Sequence, residues 1–229
     1  MYSFCRYRYG VILIKSIAKD LLKYLMIIFI SLFLIVLINI LFSNYLQAAN
    51  DINWQQLKET SYYKLQKEPD SIIDNFNYSI ALANLGMIEE AYEYFNNISD
   101  SISLDEFNRT LSPKIKELER KEDDILLLNY AAFNATINVN YREAVFYFSK
   151  ILKYQPNNIW IINYLAASYI EIEEYEKAEK ELLKCLEIKE NQYSHLLLGL
   201  LNYKQGRILR ALIELSRSGN LAKHIFFGN

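Results

Sequence analysis

Tyr141-Arg142-Glu143-Ala144, followed by Phe148 and Pro156, is answered 34 residues later by Tyr175-Glu176-Lys177-Ala178 and Leu182. Ile88-Glu89-Glu90-Ala91 with Phe95 repeats the pattern upstream, and Ile208-Leu209-Arg210-Ala211 with Leu215 repeats it downstream. A large apolar residue, an alanine three later and an apolar residue four beyond that share one side of an α-helix. Recurrence at a period near 34 marks an array of helical hairpins. Turn signals close the helix before each unit. Gly86 and Gly206 supply the left-handed backbone that ends a helix. Asn140 is expected to do so in the second unit, while Ile172-Glu173-Glu174 has neither Gly nor Asn.

These residues resemble the tetratricopeptide repeat. Residues 159–191 carry Ile162, Leu165-Ala166, Tyr169, Tyr175, Ala178, Leu182 and Cys185; residues 125–158 carry Leu128, Ala131-Ala132, Tyr141, Ala144, Phe148 and Pro156. Residues 192–217 fit through Leu198-Gly199, Gly206, Ala211 and Leu215, and residues 72–105 through Leu82, Gly86, Ala91 and Phe95. The resemblance implies an all-α, right-handed α-solenoid of about four hairpins. Ala91, Ala144, Ala178 and Ala211 are expected where paired helices cross, because a larger side chain there would cost roughly 1–3 kcal/mol by overpacking. Residues 106–124 interrupt the period as one inserted helical segment. Its Ser112-Pro113 reads as an N-cap and first-turn proline before a helix from Lys114 to Glu122. Residues 43–71 read as a connection and capping helix, and 218–229 as a C-terminal cap.

Ahead of the array, Leu25 to Phe42 is apolar except for Ser31 and Asn39. With Tyr24 it makes a run of 24–42, about 28 Å as a helix and close to the hydrocarbon thickness of a bilayer. Residues 1–23 hold Arg6, Arg8, Lys15, Lys19 and Lys23 against Asp20 alone. The expectation is a single-pass helix in the cell membrane, with the basic segment cytoplasmic and the repeats outside. The alternative is a cleaved signal peptide ending among Leu46, Gln47, Ala48 and Ala49, which would release a secreted protein. In the anchored topology Cys5 and Cys185 lie on opposite sides of the membrane. Cys185, at helical spacing from Leu182 and Leu186, reads as a buried hydrophobe.

Six Gly and three Pro in 229 residues are too few for a turn-rich β fold, while 52% apolar residues, with 19 Tyr and 12 Phe, suffice for a core. A net charge of −2 leaves no basic footprint for nucleic acid. No metalloprotease, dinucleotide-loop, Walker or paired-cysteine motif is present. The reading is therefore of a non-enzyme with no cofactor, no metal and no nucleic-acid partner. The acidic run Glu171 to Glu181 reads as a solvated helix face, and His195 as a core residue.

By resemblance, a protein or peptide partner would bind the concave face of the first helix of each hairpin. Those slots hold Phe76 and Ile80, Asn129 and Phe133, Trp160, Asn163 and Ala167, and Tyr193, Leu196, Leu200 and Tyr203. Asn129 and Asn163 would hold a partner's backbone by donating and accepting at once. The slots where some members clamp a carboxylate hold Tyr130, Tyr164 and Leu197, which points to an apolar or aromatic segment. The expected role is a membrane-anchored scaffold, of the assembly-factor or chaperone-adaptor kind. The rival is a structural module that forms homo-oligomers through Ile225-Phe226-Phe227 or the membrane helix.

Overall fold

The computed structural model describes residue 26 and residues 28–39 and 52–227, the last with backbone only at 99–101 and 224–227. The chain divides into two units, Met1–Ala49 and Asn50–Asn229. In the first, residues 28–39 are helical and expose their apolar side chains, Phe29 at 72%. Among the described residues no helix is long and apolar enough to cross a membrane. The span of 24–42 as a whole, the cleavage segment 46–49, Tyr24 and Cys5 lie outside the described residues.

The second unit is helical throughout its described length. In chain order α1 is Trp54–Leu65, α2 Ile72–Leu85, α3 Ile88–Ser101, α4 Leu104–Lys116, α5 Ile125–Ile137 and α6 Tyr141–Tyr154. Then follow α7 Ile159–Glu171, α8 Tyr175–Ile188, α9 Gln192–Lys204, α10 Ile208–Arg217 and α11 Asn220–Phe227. Side-chain caps start the first helix of each hairpin. Ser71, Asp124, Asn158 and Asn191 accept from backbone N–H groups of α2, α5, α7 and α9, which satisfies donors the helix cannot.

The second helix of each hairpin starts differently, straight out of a tight turn. Residues 86, 139, 173 and 206 all have positive φ. Each donates to the carbonyl three residues back, and the next residue donates to the carbonyl five back, as in Gly86 N–H to Ala83 and Met87 N–H to Leu82. Val139 and Glu173 thus take the turn position glycine holds elsewhere, at φ 59° and 63°. Asn140 is not the left-handed residue; at φ −89° it caps α6. The turn counts from the last hydrogen-bonded carbonyls, Ala135 and Thr136, so the residue at 139 must bend whatever its type. A β-branched residue there is strained. Val139 is 68% exposed and packs little. Val139→Asn is expected to stabilise the fold by roughly 0.5–1 kcal/mol. That would raise the melting temperature by about 1–4 °C. An unchanged or lower value in thermal denaturation would count against the left-handed turn.

Ala91, Ala144, Ala178 and Ala211 are buried. Ala178 packs with Ala166, Ile170 and Leu182, between α7 and α8. The inserted segment differs from its sequence reading. Its helix begins at the Ser103 cap, whose side chain accepts from the Glu106 N–H, and Pro113 lies inside α4. Phe107 and Leu111, one turn apart, are fully buried and hold the helix through the proline. Pro113 and Arg109, whose carbonyl loses its partner, both sit on the exposed side.

This helix changes the stacking. In the later repeats each second helix packs on the first helix of the next hairpin, α6 on α7 and α8 on α9. At the start of the array α4 packs along α5, while α3 reaches α5 through the ring of Phe95 on Phe133. Helix α2 becomes central, with neighbours α1, α3, α4, α5 and α7. Every residue of α2 from Phe76 to Asn84 is buried. At the other end, α11 packs toward α9 and α3. It leaves Leu209, Leu212 and Ile213 of α10 exposed, although residues 218–229 were expected to cap the array.

Candidate interaction site

The concave face at α5 and the first half of α7 is filled by α2. Asn84 donates its side-chain N–H to Asn129 Oδ1 (2.9 Å), Tyr130 donates its hydroxyl to Asn77 Oδ1 (2.5 Å), and Tyr164 donates its hydroxyl to the Ala83 carbonyl (2.9 Å). Phe76 and Ile80 lie at 0% exposure and belong to the core. The Phe76 ring meets Phe107 and Tyr130 edge-on at 5.2 and 5.3 Å. These two residues cannot line an open groove.

Asn129 and Asn163, also 0% exposed, are structural. Each donates to the carbonyl four residues earlier, Ile125 and Ile159. Asn163 Oδ1 accepts the Ser194 hydroxyl (2.8 Å), and its side-chain N–H reaches Cys185 Sγ (3.4 Å). A buried amide must find such partners. These bonds tie α5 to α2 and α7 to α8 and α9, so no amide is left for a ligand's backbone. Leu196 is buried as well. Trp160 is half-buried against Gly86 in a shallow recess with Met87 and Gln192. Tyr203 is 64% exposed and does not line the recess described next.

An open recess of about 260 Å³ remains where α3 leans across the later repeats. Helix α3 contributes Ala91, Tyr92 and Phe95; α5 contributes Phe133 and Thr136; α6 contributes Tyr141 and Phe148. Helix α7 adds Tyr164, Ala167, Ser168 and Glu171, and α9 adds Tyr193 and Leu200. Of the residues proposed from sequence, Phe133, Ala167, Tyr193 and Leu200 are therefore brought together. Phe95 stacks on Phe133 at 5.1 Å, and Phe133 meets Tyr164 edge-on at 5.2 Å. The α3 residues were missed because the sequence reading looked for the site only on the first helix of each hairpin. Their signal was Ile88, Tyr92 and Phe95 on one helix face.

The polar groups of the recess are mostly committed. Thr136 and Ser168 donate back to carbonyls of their own helices, Ala132 and Tyr164. Glu171 pairs with Lys204 (3.2 Å) at the mouth. The Tyr141 and Tyr193 hydroxyls carry no hydrogen bond to a described residue. Burial pushes the Tyr193 phenol up to about 12 and the Tyr164 phenol well above its ordinary value. Tyr141 is also raised, by burial and then by the Glu171 carboxylate, with Lys204 opposing. These phenols stay neutral at physiological pH. No nucleophile stands beside a base here, and among the described residues no cluster could hold a metal ion. The recess can bind apolar and aromatic groups and offer them two free hydroxyls.

His195 lies outside the recess. It is buried, as expected of a core residue, yet both ring nitrogens are engaged, Nδ1 by Glu214 (2.6 Å) and Nε2 by Glu190. It fastens α9 to α10 and to the turn before α9.

Residues 138–201 match the family model for the tetratricopeptide repeat. The comparison with curated proteins finds no match. Solved structures that match the chain include MamA from residue 41 to its end from Desulfovibrio magneticus RS-1. It is 16% identical over 76% of this chain and 97% of that one, with a TM-score of 0.45. MamA MSR-1 C2 is 12% identical over 80% and 98%, with a TM-score of 0.45.

Proposed function

We propose that this tetratricopeptide-repeat chain is a scaffold that holds a partner protein by inserting the partner's apolar or aromatic side chains into the recess between α3, α5, α7 and α9. The observation that carries this reading is the recess itself. It is open, apolar and ringed by aromatics, and its charged groups are paired at the mouth. Rigid aromatic walls give contact area at low entropy cost. About 260 Å³ suits one or two side chains rather than a whole helix.

The scaffold's place is the cell membrane, with residues 24–42 as anchor, the basic segment 1–23 cytoplasmic and the repeats outside. Support for this comes from the length of the apolar run and the five Lys and Arg ahead of it. A tethered holder of this kind would serve assembly or chaperoning of other proteins at that surface.

Binding of a library of aromatic-containing peptides to the full chain tests the site. Ala167 is half-buried on the recess wall, and Ala167→Phe would fill the space. It is expected to weaken binding at least tenfold, about 1.4 kcal/mol, while Tyr203→Ala leaves it unchanged. Equal effects of the two variants, or no binding peptide at all, would refute the recess as the site.

A further inference from the structure

Helix α10 carries a surface that the recess does not explain. Leu209 is 78% exposed, Leu212 60% and Ile213 52%. Aligning Ala211 with Ala178 sets Leu209 and Ile213 where α8 has Glu176 and Lys180, both exposed. Helix α6 has Arg142 and an exposed Phe146 at those positions. The outer face of α8 thus sets one exposed apolar side chain, Leu183, beside Glu176 and Lys180, while that of α10 is apolar at Leu209, Leu212 and Ile213. Leu212 extends the stripe onto the side where a following hairpin would stack.

Three arginines, Arg207, Arg210 and Arg217, border the stripe, and Arg207 pairs with Glu179 of α8 (3.7 Å). Glu214, the acidic residue of α10, is engaged by His195 and Arg217. Arg210 is exposed and has no ion-pair partner among the described residues. Helix α11 adds Lys223 and no acidic residue.

We propose that α10 is an interfacial helix that lies against an anionic lipid surface. Its apolar side chains would enter the headgroup boundary while the unpaired Arg210 spreads its stem along it and reaches a phosphate. The outer face of a single helix is a ridge, which suits a flat surface better than it suits a peptide. The chain's own apolar run would bring α10 to a bilayer, and in that respect the inference rests on the anchored reading. A ten-residue helix binds lipid weakly alone, so a tether and an interfacial helix complement each other.

The test uses the full chain with Cys5→Ser; Cys185 is fully buried and out of a label's reach. An environment-sensitive fluorophore is placed at Ile213→Cys or, as a control, at Lys180→Cys. The protein is diluted from detergent into vesicles of phosphatidylcholine, with or without phosphatidylglycerol. The expected result is a blue shift and loss of iodide quenching at 213 only, in the anionic vesicles only, and reversed by Arg210→Glu. Equal behaviour at 213 and 180, or in both lipids, overturns the proposal. So does a shift that grows with protein concentration without vesicles, which would mean that a second copy covers the stripe. Vesicle flotation reads the anchor separately. A chain that floats without the shift at 213 sinks the interfacial helix and spares the anchor, and a chain that fails to float with anionic vesicles sinks both.

Discussion

Gly86→Ala is expected to lower the stability of the fold by about 3 kcal/mol, and Gly206→Ala by only about 1. The two glycines share a backbone, at φ +78° and +73°. Any L-residue pays roughly 1–2 kcal/mol for that conformation, and recovers part of it because glycine loses more freedom on folding. Their surroundings differ. A Cβ on Gly86 would stand 2.1 Å from Cζ2 of the Trp160 indole, whereas one on Gly206 would meet nothing within 4 Å. The added carbon would meet three atoms of the ring's six-membered side at 2.1 to 2.8 Å, so the indole has to leave its place between α7 and the turn at Gly86. Denaturant unfolding of the two variants separates backbone strain from steric contact. A double-mutant cycle with Trp160→Leu should return a coupling of at least about 1 kcal/mol. Equal losses at the two glycines would mean that the first hairpin does not fold back onto α7.

That contact is a fair measure of what the sequence could disclose. The hairpins were legible because their determinants are local. Alanine and large apolar residues at helical spacing name a face, and glycine names a turn. The left-handed bends at Val139 and Glu173 were not legible, since hydrogen-bond geometry dictates them against residue preference. The groove was misread for a different reason. Asn129 and Asn163 hold the right slots in their own repeats. Whether a slot faces a ligand or a neighbouring helix depends on residues far along the chain, here Asn84 and Ser194. Helix α2 carried the one available hint: Phe76, Ala81 and Leu82 fall on different sides, and its polar residues form no common face, Asn77 and Asn84 lying opposite Ser79. A helix without a polar face is surrounded by protein.

The helix that surrounds α2 on its outer side gives the second large effect. Phe107→Ala in α4 is expected to cost about 3–5 kcal/mol, the range for deleting a fully buried phenyl ring. Phe107 is 1% exposed and meets Phe76 edge-on at 5.2 Å. Its loss would open a hole between α2 and α4 that neither helix can close without leaving α5. Leu104→Ala, one turn earlier on the same helix but 50% exposed, should cost no more than about 0.5 kcal/mol. An insertion that merely bulges from the array would show small effects at both positions. The expected contrast therefore measures whether α4 has taken the stacking place of α3. The consequence reaches the recess, because α2 and α4 support the placing of α3 that brings Tyr92 and Phe95 beside Phe133 and Tyr164. Phe107→Ala should accordingly weaken peptide binding more than its stability loss predicts when both are measured well below the melting temperature. Ala167→Phe should weaken binding with little loss of stability. If Phe107→Ala left binding intact in the folded fraction, α3 would not be a wall of the site.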